Sequence, residues 1–195
     1  VFAFLGCLVL VPSYPYSVIF MFGCLAPYIT FLNARETNDG WYTAVLPVTK
    51  RESVLGKCLL AVFFQLFQLL FSIPFVLLRN VLNIANNPVG LDATVAWYGF
   101  GFILYAVFDL IFLTSFYKSG YKAGQSFILA AIPMVLLMVA IEATAYIPAF
   151  SWMDSYQPED LIIQLPILVI GFICYGVIIT LAYRIAAKRF EKVDL

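Results

Sequence analysis

The sequence contains no histidine and very little charge. Asp, Glu, Lys and Arg together account for 11% of the 195 residues, and the formal net charge is zero. Without histidine the chain has neither a zinc site of the H-E-x-x-H type nor a Ser–His catalytic pair. A balanced charge gives no indication of a nucleic-acid partner. We therefore expect no catalytic residue and no metal site in this chain.

Paired cysteines and a nucleotide-binding loop are also missing. The four cysteines stand singly, within or beside apolar stretches, at Cys7, Cys24, Cys58 and Cys174. Their spacing indicates neither a disulfide framework nor a metal site. Gly56-Lys57 is the nearest approach to a phosphate-binding loop, but Cys58 follows where Ser or Thr is needed. Any ATP chemistry must therefore come from another polypeptide.

Apolar residues dominate what is present. They make up 64% of the chain, against roughly 45–50% in a soluble domain, and the mean hydropathy is +0.97. Apolar runs of about 20 residues are long enough to span a bilayer as helices. We predict an all-α integral membrane protein with a single transmembrane domain, residues 1–195. Its six spans cover about residues 1–11 (a truncated first span), 16–32, 58–78, 94–117, 127–147 and 161–183.

A polar interval, Asn33–Cys58, interrupts the apolar sequence after the second span. Within it, Asn38 or Asp39 is a suitable N-cap for a short helix of about two turns. Thr49, followed three residues later by Glu52, forms a capping-box pattern. We therefore predict a second helix that begins after Thr49 and continues unbroken into the third span.

The positively charged residues are distributed unevenly between the two sides of the membrane. If the Asn33–Cys58 interval is cytoplasmic, alternation of the spans places the Lys118–Gln125 turn and the C-terminal tail there as well. Arg79 is then the one Lys or Arg residue on the opposite side. Because short cytoplasmic loops are enriched in Lys and Arg, we predict a multi-pass protein with both termini in the cytoplasm.

Polar side chains within the spans are the candidates for a transport path. Gln65, Gln68 and Ser72 share one face of the third span, which indicates either hydrogen bonds between helices or the lining of a path. Asp109 and Glu142 are the acids within spans, and such residues usually face the bundle interior. Counted from the same side at 1.5 Å per residue, they lie about 12 Å and about 22 Å deep. We therefore expect no contact between them, which argues against an intramembrane aspartyl protease and leaves a structural, substrate-path or proton-relay role.

Part of the polar interval resembles a segment known from one transporter family. The matching residues are, in order, Glu36, Gly40-Trp41, Leu46-Pro47-Val48-Thr49-Lys50 and Lys57. Their order and spacing are similar to the cytoplasmic stretch after the second span in membrane subunits of type-2 ABC (ATP-binding-cassette) exporters. Among the small permeases of that family, the chain looks like those of Gram-positive peptide exporters, such as the phenol-soluble-modulin exporter.

The resemblance implies that the short helix is a coupling helix, which docks into a separate ATPase subunit. The coupling residues would be Asn38, Asp39, Gly40, Trp41, Tyr42, Val45, Leu46, Pro47, Lys50 and Arg51. It also implies two ABC ATPase subunits that bind ATP and Mg²⁺, a second permease subunit (identical or homologous), and a place in the bacterial cytoplasmic membrane. The cargo would be amphipathic or hydrophobic, such as a peptide, and would meet Gln65, Gln68, Ser72, Asp109 and Glu142.

Two other classes of function remain open. A secondary transporter could couple cargo movement to protons through Asp109 or Glu142, and it would work without an ATPase. A membrane scaffold or enzyme subunit without transport activity is the third class. A stoichiometric ATPase partner would distinguish the first class from the other two.

Overall fold

A computed structural model describes residues 2–37, 45, 47–82, 84–119 and 122–192. These residues form helices and, within the described ranges, no strand. The α-helices are α1 (Val18–Glu36), α2 (Lys50–Val81), α3 (Val95–Lys118), α4 (Ala123–Ala143) and α5 (Pro158–Glu191). Three 3₁₀ segments accompany them, at Phe2–Leu10, Thr144–Tyr146 and Pro148–Asp154.

Within the part of the chain that the structure describes, four helices are long and apolar enough to cross a membrane. They are α2, α3, α5 and α4 together with the 3₁₀ turn that follows it (Ala123–Tyr146). The apolar part of α1, Val18–Ala34, is shorter. The all-helical membrane class is thereby confirmed, whereas the count of six spans stays a prediction.

The first apolar run differs from the expected half of an α-helical span. Residues Phe2–Leu10 form a 3₁₀ helix that packs against α2 and α1. At about 2.0 Å per residue, this helix is about 18 Å long. Ser13 then adopts a left-handed backbone conformation, with φ of 66°. A turn between Pro12 and Pro15 therefore separates this segment from α1.

Several helices extend beyond their predicted ends. The prediction that the helix after Thr49 continues into the third span is confirmed, because α2 runs from Lys50 to Val81 without a break. α5 likewise continues past the apolar run as far as Glu191. The reason is that Lys, Arg and Glu are good helix formers in water, so backbone hydrogen bonding need not stop where the apolar run ends.

α3 is the central helix of the bundle. About 56% of its apolar segment is buried, against 17% in the corresponding segments of α4 and α5. Its closest neighbour is α5, and the crossing is made possible by Gly99 and Gly171. A Cβ atom on Gly171 would collide with the carbonyl oxygen of Gly99, and one on Gly99 would lie 2.6 Å from the carbonyl oxygen of Ile167. Small residues of this kind let transmembrane helices approach each other closely.

The bundle has two chemically different ends. The basic end contains the end of α1, the start of α2, the α3–α4 turn and the end of α5, and contacts such as Arg51–Glu191 and Tyr117–Phe190 join these parts. The Arg79 end contains the connections between the other helix ends, and hydrogen bonds such as Asn87–Tyr14 join them. All Lys and Arg residues except Arg79 belong to the chain segments that form the basic end.

Candidate transport and coupling sites

Three side chains from three helices form a polar chain in the interior of the bundle. Tyr175 of α5 donates a hydrogen bond to Gln65 Oε1 at 2.6 Å, and Gln65 Nε2 of α2 donates one to Asp109 Oδ1 of α3 at 2.9 Å. Gln65 and Asp109 are fully buried. These bonds link α2, α3 and α5 in surroundings where few other partners are available.

The predicted polar face of α2 is turned inward along its whole length. Gln68 Nε2 donates to the carbonyl oxygen of Ile19 at 2.5 Å, which links α2 to α1. The Ser72 hydroxyl donates to the carbonyl oxygen of Leu69 and lies 2.9 Å from the Tyr98 hydroxyl. The structure therefore shows this face engaged in hydrogen bonds within the chain. A role for these residues in a transport path stays a prediction.

Among the buried polar atoms that lack a hydrogen-bond partner within the described residues, two oxygen atoms of α3 share one helix face. They are Asp109 Oδ2 and the hydroxyl of Tyr105, one helical turn apart. Leaving a buried polar atom without a partner costs about 1–3 kcal/mol. The hydrogen-bonding capacity of Asp109 is therefore only partly used within the described residues. Tyr105 was not among the predicted site residues, although its spacing of four residues from Asp109 places it on the same helix face.

Glu142 lies at the Arg79 end of α4, away from the polar chain around Asp109. Its carboxylate accepts a hydrogen bond from the Ser17 N–H at 3.0 Å and another from the Leu91 N–H at 2.7 Å. The prediction that Asp109 and Glu142 do not contact each other is confirmed, because each carboxylate has its own separate set of partners. Glu142 holds two connecting segments onto α4, an arrangement that the sequence pattern did not indicate.

A second carboxylate, Asp92, organises the connection between α2 and α3. Asp92 is completely buried, forms an ion pair with Arg79, and accepts a hydrogen bond from the Asn87 N–H at 3.2 Å. The Asp92 N–H in turn donates to Asp154 Oδ1 at 2.6 Å. Arg79 also donates to the carbonyl oxygen of Ala85. At the Arg79 end, carboxylates thus bind backbone amides of the connecting segments. The connection between α2 and α3 is partly buried, with Asn87, Leu91 and Asp92 in the interior.

Burial raises the pKa of Asp154, the acid that accepts the hydrogen bond from the Asp92 N–H. Partial burial raises the pKa of Asp154 from its ordinary value of 3.8 to about 6, although the hydrogen bond from the Asp92 N–H opposes the shift. The nearby carboxylates of Asp92 and Glu142 raise the pKa further, and Arg79 lowers it. Asp154 belongs to the 3₁₀ segment Pro148–Asp154, which lies between the predicted fifth and sixth spans. The segment is too short to show a helical periodicity in the sequence, and 3₁₀ helices of this kind are typical of connections.

The basic end begins with a complete capping box. The Glu52 N–H donates to the Thr49 side-chain oxygen at 3.2 Å, and the Thr49 N–H donates to Glu52 Oε2 at 2.8 Å. This arrangement confirms the predicted start of α2. One residue into the helix, Arg51 Nε lies 2.5 Å from Glu191 Oε1 at the end of α5. Local capping and this ion pair together position the first turn of α2.

The predicted coupling residues lie next to that first turn, and most of them fall outside the described residues. The undescribed ones are Asn38, Asp39, Gly40, Trp41, Tyr42 and Leu46. Val45 is helical and 69% exposed, and Pro47 is also exposed. Lys50 and Arg51 form the start of α2. The coupling helix itself therefore stays a prediction.

These features define a multi-pass helical membrane protein whose interior is held together by polar contacts between helices. Among the described residues, no group of three or more Cys, Asp or Glu side chains is placed to hold a metal ion. The family model described as ABC-2 family transporter protein matches residues 1–188. The chain belongs to this family. No curated protein and no solved structure matches it.

Membership in the ABC-2 transporter family indicates the general function of the chain. It identifies the chain as an ABC-2 type permease, which is a membrane component of an ABC transporter and has an ABC ATPase as its partner. Components of this kind are generally not catalysts themselves. The resemblance found in the polar interval is thereby confirmed at the level of the family. The likeness to a phenol-soluble-modulin exporter stays a prediction.

Proposed function

We propose that this chain is the permease subunit of an ATP-driven exporter, coupled to its ATPase through the Asn38–Leu46 segment. The family match over residues 1–188 is the observation that carries the proposal. Two ATPase subunits bind ATP and Mg²⁺, and a second permease, identical or homologous, completes the path. In this arrangement the basic end faces the cytoplasm of a bacterial cell, because it contains every Lys and Arg except Arg79.

The start of α2 supports a mechanical role for the segment before it. α2 begins at a capped position, Thr49, and continues for 32 residues. A force applied to the Asn38–Leu46 segment would act on the capped end of this helix only a few residues away. Trp41 is the proposed anchor, because tryptophan is enriched among the residues that dominate protein interfaces. Lys50 and Arg51 would contact acidic groups of the ATPase or of the lipid.

The polar face of α2 is the proposed cargo-facing surface in the open state. Gln65, Gln68, Ser72 and Asp109 are at most 2% exposed in this structure. Cargo would reach them only when α2 separates from α3 and α5 and their mutual hydrogen bonds are exchanged for bonds to cargo or water. Glu142, at the Arg79 end, would line the exit. An amphipathic peptide suits this combination of amide groups and an aromatic interior, as in the peptide exporters that the sequence resembles.

Purification from native membranes tests the proposal directly. The full chain is isolated in mild detergent and the proteins that accompany it are identified. We expect a soluble-type ATPase with a phosphate-binding loop, in about equal amount to the permease. A preparation that contains no such ATPase after cross-linking would contradict the proposal.

A substitution then tests the coupling segment. Trp41→Ala should leave the chain inserted in the membrane but lower both ATPase binding and cargo-dependent ATP hydrolysis. Phe63→Ala is the matched control, because Phe63 is an aromatic residue of α2 that is 59% exposed and does not belong to the Asn38–Leu46 segment. Transport by the Trp41 variant at the wild-type rate would exclude this coupling role.

One observation favours a second candidate, a proton-coupled transporter. Asp109 is fully buried, and its Oδ2 atom has no hydrogen-bond partner among the described residues. Such a carboxyl group could exchange a proton during a transport cycle. This function predicts transport in vesicles that contain the permease alone, driven by a pH gradient and lost in Asp109→Asn or Glu142→Gln. Transport that requires ATP and persists in both variants would exclude it.

A further inference from the structure

A small basic pocket lies at the basic end, between the first turn of α2 and the last turns of α5. It has a volume of about 110 Å³ and is lined by Arg51, Tyr183, Arg184, Ala187 and Lys188. Sites for drug-sized ligands have volumes of about 300–1,000 Å³. The pocket is therefore too small for a peptide cargo. Its accessible wall is mostly apolar, so a bound molecule would pack against the carbon stems of these side chains and meet their charged ends at the opening.

The charges around the pocket favour an anion. Arg184 and Lys188 are exposed, and no acid lies within 4 Å of either among the described residues. Arg51 is paired with Glu191, but its side chain is still 63% exposed. Three cations thus surround one carboxylate, which leaves an excess of positive charge. Guanidinium groups are well suited to binding phosphate oxygens.

Apolar surface continues from the pocket toward the middle of the membrane. Leu55 and Leu59 follow Arg51 at intervals of four residues on the same face of α2, and they are 40% and 58% exposed. On α5, Leu181 and Val177 lie on the same face as Arg184 and are 47% and 63% exposed. Acyl chains could lie along these two stripes while a headgroup occupies the pocket.

The depth of the pocket also matches a lipid headgroup. The apolar run of α5 ends at Tyr183, and Arg184 follows it directly. Tyrosine is enriched at the boundary between hydrocarbon and water, where its ring is apolar and its hydroxyl is hydrated. A phosphate group at this level would be within reach of all three cations without leaving the headgroup layer.

We propose that this pocket binds the phosphate of an anionic phospholipid, held by Arg51, Arg184 and Lys188. Glu191 is then a competitor for Arg51, so a lipid that binds would weaken the contact between the ends of α2 and α5. Because Arg51 belongs to the first turn of α2, bound lipid would influence the mobility of that turn. This inference does not depend on the ATPase and can be tested with the permease alone.

Native mass spectrometry of the full chain in detergent, titrated with phosphatidylglycerol or phosphatidylcholine, measures the binding. We expect phosphatidylglycerol to bind more tightly. Each basic residue near a membrane surface changes anionic-lipid affinity by about fivefold. Arg184→Gln combined with Lys188→Gln should therefore weaken phosphatidylglycerol binding by roughly tenfold or more, whereas Glu191→Gln should strengthen it.

Lys118→Gln combined with Lys122→Gln is the matched control, because it removes two exposed cations from the same end but outside the pocket. An equal loss of binding in the control would overturn the proposal in favour of general charge attraction. Unchanged binding in the pocket variant would also overturn it. Displacement of the lipid by millimolar inorganic phosphate would identify a site for free anions instead. Photocross-linking from position 184 to a second permease or an ATPase, with no lipid adduct, would identify a protein interface.

Discussion

Arg79 and Asp92 form an ion pair in the protein interior, at the end of the bundle opposite all the other cations. Their side chains are 2% and 0% exposed. The Arg79 guanidinium group also lies 5.0 Å from the centre of the Tyr16 ring, and it donates to the carbonyl oxygen of Ala85. Arg79, the one Lys or Arg residue outside the basic end, is therefore a structural residue. It binds α2 to the segment that connects α2 with α3.

Removing one partner of this buried pair should destabilise the protein strongly. Arg79→Gln or Asp92→Asn leaves an uncompensated buried charge, which typically costs about 3–5 kcal/mol. Unfolding in detergent, followed by circular dichroism with increasing denaturant, measures the loss. Arg51→Gln breaks an exposed ion pair and is the control, for which we expect only a small change. Equal stability of the Arg79 and Arg51 variants would show that the inner pair contributes nothing.

The close crossing of α3 and α5 makes Gly171 sensitive to the smallest substitution. Gly171→Ala should force the helices apart and cost about 1–3 kcal/mol, because the added Cβ meets backbone that cannot rotate away. Gly176 lies on the same helix, and a Cβ there would meet nothing within 4 Å. Gly176→Ala should accordingly be neutral or slightly stabilising. Thermal unfolding of both variants in the same detergent makes the comparison, and equal effects would contradict the close crossing.

The polar chain in the interior should contribute modestly to stability. Tyr175→Phe removes the donor to Gln65 Oε1, and hydrogen bonds between transmembrane helices are worth about 0.6 kcal/mol on average and about 1.7 at most. Tyr146→Phe is the control, since that exposed tyrosine makes a longer bond of 3.3 Å to the carbonyl oxygen of Pro88. We expect a measurable loss of unfolding free energy in the first variant only. No difference between the two would indicate that the buried bond is replaced by another.

Asp154 should make stability depend on pH. Burial raises the pKa of its carboxyl to about 6, so the folded protein holds this proton more tightly than the unfolded chain does. Its contribution to stability is therefore complete below about pH 4 and is lost as the pH rises through about 6. Asp154→Asn should reduce the difference in unfolding free energy between pH 4 and pH 7. An unchanged difference in this variant would assign the pH dependence to other groups.

Local sequence signals predicted the start of α2 and its polar face well. The Thr49–Glu52 box depends on residues three apart, and the Gln65–Ser72 face depends on helical periodicity, so both can be read without knowing the fold. The helix lengths were underestimated because hydropathy marks where the hydrocarbon ends rather than where the helix ends. The 3₁₀ form of Phe2–Leu10 was missed because its apolar sequence is compatible with either kind of helix.

Contacts between distant parts of the chain could not be predicted in this way. α3 is apolar on nearly every side, so its sequence does not show which neighbour each face will meet. The partners of Glu142 are backbone amides, and any residue can supply a backbone amide. The pairing of Arg79 with Asp92 depends on the path of the connecting segment, which local propensity does not determine. The sequence therefore identified candidate residues but not how the bundle brings them together.

α2 is longer than the membrane is thick, so a tilt of this helix would move both of its ends. A helix of 32 residues is about 48 Å long, whereas the hydrocarbon core of a bilayer is about 30 Å thick. Its first turn follows the proposed coupling segment in the sequence, and its last turn contains Arg79. A tilt of about 10° around its midpoint would move each end by roughly 4 Å. A movement at the basic end would thus be carried toward the Arg79 end along one continuous helix, which contains Pro74 near that end.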